Sequence, residues 1–239
     1  LLLQAVKTVL PRRPSPEAVD LVMGSGGLAL VGGSGEGKSL LCRLVLGEEP
    51  RPPLRWVGGL VLDGAPVAPR DLLAHRGQRI TWLPQGGREC LVPGWSLRRH
   101  LALLAPGERG DAVLRGMETL GLDPGERILQ SSATQLSEGM IRRFLLALAV
   151  SGAPELILLD EPTAGLDPGS RDAVVSLVRE RVLERGAGLV VATHDLDLAS
   201  ALADRFCLVR SGAPVALTST LTDDGPLGSL VRAHRELVQ

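Results

Sequence analysis

An apolar run, Gly27 to Val31, passes directly into Gly32-Gly33-Ser34-Gly35-Glu36-Gly37-Lys38-Ser39 and then into an amphipathic stretch from about Lys38 to Leu46 that Gly47 stops. The octet fits the G-x-x-x-x-G-K-[ST] pattern of a P-loop, in the strand, loop and helix setting that the pattern requires. It constrains the fold strongly, because a buried strand must hand the chain to a tight glycine turn and then to a helix N-terminus, the first step of an α/β core. The glycines let backbone N–H groups turn inward around phosphate oxygens, and the helix terminus adds a favourable dipole. Lys38 is placed to reach the β and γ phosphates of a nucleotide, and Ser39 to offer its hydroxyl to Mg²⁺. Gly32, Gly33, Ser34, Gly35, Glu36, Gly37, Lys38, Ser39 and Leu40 are the expected nucleotide-binding residues. The bland alternative is a glycine-rich turn beside an adventitious lysine, which requires strand, loop and helix to coincide without cause.

Further apolar runs alternate with amphipathic stretches, as when parallel strands alternate with helices. Val57 to Leu62, Arg79 to Leu83, Leu156 to Leu159 and Leu189 to Ala192 read as strands, and Leu1 to Leu10 as an opening strand. From about Gly86 to Val150 helical periodicity takes over: Asp111 to Leu120, then Ser137 to Val150 with Met140, Ile141, Phe144, Leu145 and Leu148 on one face. Asp167 and Pro168 open a further helix, as N-cap and first-turn residue, that stops near Gly186. The Pro/Arg clusters at 11 to 16 and 50 to 55 read as loops. For 239 residues one large domain is expected, spanning 1–239, with its core in 1–85 and 151–239 and a helical insertion at about 86–150.

Composition closes other routes. Lys plus Arg number 26 against 27 Asp plus Glu, and the net charge of -1 gives no support to broad nucleic-acid binding. Three scattered cysteines, Cys42, Cys90 and Cys207, suit neither a metal motif nor a disulfide framework and point to a reducing cytosol. The best apolar run, Phe144 to Val150, falls well short of the roughly 18 residues that a membrane-spanning helix needs. The start, broken by Lys7 and running into Pro11, Arg12 and Arg13, has the wrong order of charge and apolar core for a signal peptide.

Acids, an amide and a histidine follow the strands. Leu156-Ile157-Leu158-Leu159 ends in Asp160-Glu161. The carboxyl ends of parallel strands line the ligand crevice, so Asp160 can hold a Mg²⁺ shell while Glu161 polarises the attacking water, a general-base role worth typically ~10²- to 10⁴-fold in rate. A solvated pair capping a helix is the plain alternative. His194, after the strand Leu189 to Ala192 and Thr193, is placed to sense a γ-phosphate, although single histidines are more often structural. Gln85 follows Leu83 and Pro84, where its amide can reach Mg²⁺ or water.

In order after the P-loop, Gln85, Leu136-Ser137-Glu138-Gly139-Met140, Asp160-Glu161-Pro162-Thr163, Gly165-Leu166-Asp167 and His194 resemble the Q-loop, signature, Walker B, D-loop and H-loop of ABC ATPases. The resemblance covers about residues 19 to 211, and the Leu-Ser-x-Gly segment separates this family from other P-loop NTPases. It implies a P-loop NTPase core of the RecA-like kind with a small antiparallel β subdomain and an inserted α-helical subdomain. It also implies Glu161, His194 and Gln85 as catalytic residues, Ser39, Gln85 and Asp160 around Mg²⁺, and ATP as the nucleotide. Two such subunits are expected head to tail, with Ser137, Glu138 and Gly139 of one on the nucleotide of the other and Asp167 in the D-loop between them. A plain N-cap and core helix is the coexisting reading of the signature segment.

A narrower resemblance, carried by Ala29 to Gly35, Gly37 to Leu40, Gln85-Gly86-Gly87-Arg88 to Pro93, Met140 and Ser229-Leu230-Val231 to His234, is to the nickel and peptide importer branch. It implies a subunit on the cytoplasmic face of the membrane that couples ATP hydrolysis to uptake of nickel, a metal chelate or a di- or oligopeptide. Its partners are a non-identical second ATPase, two membrane permease subunits and, indirectly, an extracytoplasmic solute-binding protein, with no nucleic acid. A soluble ABC ATPase outside transport, and a non-hydrolysing member of an asymmetric pair, are the other classes. The first normally carries paired domains or a long coiled coil, and Glu161 with His194 speaks against the second.

The chain departs from the family in several places. No Phe, Trp, Tyr or His precedes Lys38 to stack on adenine, so weak base discrimination is expected, with Arg12 or Arg13 as the substitute cover. Glu138 stands where many members have glycine, and Arg142-Arg143 where Gln-Arg is usual. No added domain is expected in the short stretch after Gly212.

Overall fold

The computed structural model describes residues 3–4, 7–9, 22–48, 55–57, 60–63 and 65–238. Its centre is a six-stranded sheet in the order β12-β11-β4-β10-β9-β8. The strands are β4 (Gly26–Val31), β8 (Ile80–Leu83), β9 (Leu156–Asp160), β10 (Gly188–Thr193), β11 (Arg205–Arg210) and β12 (Ala213–Thr218). All neighbours pair in parallel except β11 with β12, which form a hairpin.

The inner strands read as unbroken apolar runs because both faces are covered. Alternate residues divide cleanly: Ala29, Val31, Ile157, Leu159, Leu189 and Val191 enter one core, while Leu28, Leu30, Leu156, Leu158, Val190 and Ala192 enter the other. The second core is closed by α1 (Lys38–Val45) through Leu41, Cys42, Leu44 and Val45. The first is closed by α3 (Glu108–Thr119), α5 (Glu138–Ser151), α6 (Pro168–Val178) and α7 (Leu196–Leu202). Two shorter helices, α2 (Leu97–Leu104) and α4 (Glu126–Gln130), complete the helical group between β8 and β9. Gly116 lets α3 lie close on α5, since a Cβ there would sit 3.1 Å from that of Ala147.

Two small antiparallel sheets flank this core. One runs β3-β1-β6-β7, from β1 (Leu3–Gln4), β3 (Val22–Met23), β6 (Leu60–Leu62) and β7 (Ala65–Val67); the other pairs β2 (Lys7–Val9) with β5 (Arg55–Val57). The expected strands at 1–10 and 57–62 are therefore each divided between two sheets, and Arg55 starts a strand rather than closing a loop. The helix opened by Asp167 ends as an α-helix at Val178 and continues through a wide turn, Arg179–Leu183, before Gly186. A last helix, α8 (Gly228–Val238), returns to the first core through Val231. No helix among the described residues is long and apolar enough to cross a membrane.

Candidate active site

The carboxyl ends of β4, β8, β9 and β10 open on one cleft of about 560 Å³. Its walls are Gly32, Gly33, Ser34, Gly35, Gly37, Lys38 and Ser39 from the glycine loop, Gln85 after β8, Asp160 and Glu161 from β9, and His194 after β10. Leu196 of α7 and Leu230 and Ala233 of α8 complete it. Residues scattered over more than a hundred and fifty positions (Gly32 to His194) meet because each follows a parallel strand of the same sheet.

The loop is built around backbone. Gly37 adopts φ 94°, and a Cβ on it would lie 2.6 Å from Gly212 Cα, so glycine is required on both counts. Lys38 is 7% exposed and donates from Nζ to the carbonyls of Gly32 at 2.8 Å and Gly33 at 3.0 Å. Its ammonium is thus already folded over the loop that it is expected to serve. Glu36 does not line the cleft. Its Oε2 accepts from the Ser211 N–H at 2.6 Å and its carbonyl from the Gly212 N–H at 2.7 Å, which fastens the loop to the β11–β12 turn.

Asp160 and Glu161 differ in their surroundings. Asp160 is 2% exposed; Ser39 donates a hydroxyl hydrogen bond to its carboxylate, yet Oδ1 has no partner. Burial pushes its pKa above the ordinary carboxylate value, the hydrogen bond from Ser39 opposes this, and the charge of Glu161 adds to the rise. A buried carboxylate oxygen without a donor is a place for a cation. No group of three or more His, Cys, Asp or Glu side chains that could hold a metal gathers among the described residues. Mg²⁺ is usually held by one or two carboxylates together with phosphate oxygens and waters rather than by such a cluster.

Glu161 sits at φ 49°, a left-handed conformation unusual for a residue with a side chain. Its N–H donates to Ala192 O at 2.8 Å. Oε1 accepts from His194 N–H at 3.1 Å and from His194 Nδ1 at 2.8 Å, and Oε2 from the Thr193 hydroxyl at 3.1 Å. With the carboxylate accepting, the His194 proton is on Nδ1, which leaves Nε2 free on a side chain that is 70% exposed. Lys38 Nζ stands 3.9 Å from Glu161 Oε1.

The remaining predicted residues lie outside these walls. Leu40 is part of α1 and packs against the second core. Ser137 caps α5, its hydroxyl oxygen accepting from the Met140 N–H at 3.2 Å, and is exposed together with Glu138. The Glu138 carboxylate turns back over Gly87 and lies 3.8 Å from Arg88 Nε. Asp167 caps α6, accepting from the N–H and hydroxyl of Ser170 and from Arg143, and the Ser170 hydroxyl first holds its carboxyl below the usual range. Arg12 and Arg13, the expected cover for a base, lie outside the described residues.

Sequence reasoning missed Thr193, Arg142 and the Ser211–Gly212 turn. For the turn a signal was present, a Ser-Gly pair between the apolar runs Phe206 to Val209 and Ala213 to Leu217. Arg142 stands out in the sequence only as a departure from the usual Gln-Arg, with nothing there to give it a role.

A family model described as ABC transporter matches residues 20–164. The nickel import ATP-binding protein NikD of Rhodospirillum rubrum is 34% identical over 214 residues, 87% of this chain and 78% of that protein. That of Pseudomonas putida is 36% identical over 202 residues, 81% and 77% of the two chains. The dimeric post-hydrolysis structure of the ATP-binding cassette MJ0796 bound to ADP and Pi has a TM-score of 0.74 at 21% identity, covering 93% of this chain and 100% of that one. At that identity the likeness speaks for the fold.

Proposed function

The chain belongs to the ABC transporter family, and on that premise we propose that it is the ATP-hydrolysing subunit of a nickel importer. It closes on MgATP with a second, non-identical ATPase subunit and drives two membrane permease subunits from the cytoplasmic face. A solute-binding protein on the far side delivers the cargo. Nickel is the cargo named for the relatives at 34% and 36% identity.

The observation that carries this reading is the Glu161 carboxylate, clasped by Thr193 and His194 beside Lys38 and next to the unpartnered oxygen of Asp160. Lys38 exchanges the carbonyls of Gly32 and Gly33 for the β and γ phosphates, while the loop N–H groups take the remaining phosphate oxygens. Asp160, Ser39 and Gln85 would hold Mg²⁺, which would supply positive charge where the phosphates gain negative charge. Glu161 takes a proton from the attacking water at Oε2, and His194 orients that carboxylate by donating from Nδ1 to Oε1; a contact from Nε2 to the γ-phosphate requires the imidazolium form, in which both ring nitrogens donate. Ser137 and the Gly139 N–H, at the start of α5, cover the partner's nucleotide. Asp167 meets the partner at the same seam.

Glu161→Gln tests the assignment. Turnover is expected to fall by ~10²- to 10⁴-fold, while MgATP binding persists and the closed pair accumulates. Turnover near that of the unaltered protein would remove Glu161 from this role.

A further inference from the structure

Arg142 lies on α5, five residues beyond Ser137, or about 7 Å along the helix axis. It is 5% exposed. Its guanidinium forks between two main-chain carbonyls, Nη1 donating to Glu161 O at 2.8 Å and Nη2 to Gln85 O. Those carbonyls belong to the two loops that carry the proposed general base and the proposed Mg²⁺ amide, which follow β9 and β8. Its Nε is buried without a partner. The charge is embedded among Glu138, Asp160, Glu161 and Glu89, which offset the burial that lowers its pKa.

This arrangement is costly to leave half made. A buried cation that loses an acceptor has no water to replace it. A planar guanidinium, unlike an ammonium, can hold two carbonyls in fixed directions at once. The carbonyl of Glu161 also belongs to a residue held at φ 49°, a conformation that persists only when its surroundings over-determine it. The Ala192 carbonyl holds its N–H, Thr193 and His194 hold its carboxylate, and Arg142 holds its carbonyl.

Resting on the function proposed above, we infer that Arg142 is a positioning residue. By gripping the carbonyls of Gln85 and Glu161 from one guanidinium on the signature helix, it keeps Glu161 aimed into the cleft and ties its placement to that helix. When the N-terminus of α5 engages the partner's nucleotide, the shift reaches Glu161 through one turn and a half of helix and a single side chain.

The test is steady-state hydrolysis and nucleotide binding by the assembled transporter carrying Arg142→Met, Arg142→Lys or Arg142→Gln, alone and with Glu161→Gln. Arg142→Met is expected to lower kcat by roughly ten- to a hundredfold with KM and nucleotide Kd within about threefold. Arg142→Lys, which can satisfy one carbonyl, recovers part of that loss. In the Glu161→Gln background, Arg142→Met costs little more, because both changes remove the same aimed carboxylate. A purely structural arginine would lower kcat together with binding and melting temperature, would gain nothing from lysine and would add its loss to that of Glu161→Gln; that pattern overturns the inference. So does a kcat for Arg142→Met within about twofold of the unaltered transporter. If Arg142→Met fails to assemble, the lysine and glutamine variants decide by the same comparison. Failure of the underlying function has a different mark, since Glu161→Gln would then hydrolyse normally.

Discussion

At the residue scale the cleft is defined by what Asp160 lacks. Its carboxylate is buried, keeps one hydrogen bond from Ser39 and leaves Oδ1 empty. Burial raises the folded-state pKa above the unfolded one, so the folded chain binds the extra proton. The contribution to stability is then fully present below the ordinary carboxylate value and is lost as pH rises through the raised folded value. Removing the charge should relieve the protein when no nucleotide is present. Asp160→Asn is expected to raise the melting temperature of the nucleotide-free chain near neutral pH by a few degrees, as ~1 kcal/mol corresponds to about 2–4 °C at this size. The gap between variant and unaltered chain should open as pH rises through the folded value and close in acid. Differential scanning calorimetry across pH checks this, with loss of the Mg²⁺-dependent part of nucleotide binding as the second reading. A gap that is independent of pH would mean that the charge of Asp160 is already compensated.

At the scale of elements, the glycine loop is a part braced from behind. The β11–β12 hairpin presents Ser211 at φ 49° and Gly212 at φ 78°, and their N–H groups hold the carboxylate and carbonyl of Glu36. Glu36→Ala removes a charge-assisted hydrogen bond while leaving every cleft wall in place. ATP affinity should weaken about five- to tenfold, near 1–1.4 kcal/mol, with Glu36→Gln close to the unaltered chain. Titration with a fluorescent ATP analogue measures it, and equal affinities for all three would show that the brace is idle. How far such parts are legible in sequence depends on where their partners lie. β4, β9 and β10 are covered on both faces, so Leu156 to Leu159 and Leu189 to Ala192 spell themselves out as apolar runs, and Asp160, Glu161 and His194 after them fall at the cleft. The helix boundaries were readable from local capping at Ser137 and Asp167. The brace and the Arg142 fork were not, because each joins segments far apart in the chain through main-chain groups, which no side-chain pattern encodes.

At the scale of the whole molecule, the nucleotide cleft and a second concavity are two sides of one strand. β8 carries Thr81, Trp82 and Leu83 along a groove of about 240 Å³ that Pro84, Cys90, Leu104, Arg109, Leu145 and Leu148 complete, and the residue after Pro84 is Gln85 in the cleft. The groove is mostly apolar, Leu104 is 42% exposed, and the indole N–H of Trp82 is buried without a partner. A short helix of a permease laid there would cover the leucines and press on the segment that positions Gln85, linking membrane movement to the Mg²⁺ side of the cleft. Cys90 reports on this contact. Cys90 is an exposed residue with a half-buried thiol, whereas Cys42 and Cys207 are buried, Cys207 with a pKa pushed up to about 12 by that burial and Cys42 raised for the same reason. Burial raises Cys90 too, so labelling is best followed near pH 8.5, where its thiolate fraction is larger. In the isolated subunit a maleimide should modify Cys90 first, and Cys42 and Cys207 only on unfolding. In the assembled transporter the rate at Cys90 should fall by at least about tenfold, equivalent to ~1.4 kcal/mol of added protection. Equal rates at Cys90 in the free and assembled subunit would place the permease contact on another face, and the link through β8 to Gln85 would then have nothing to transmit.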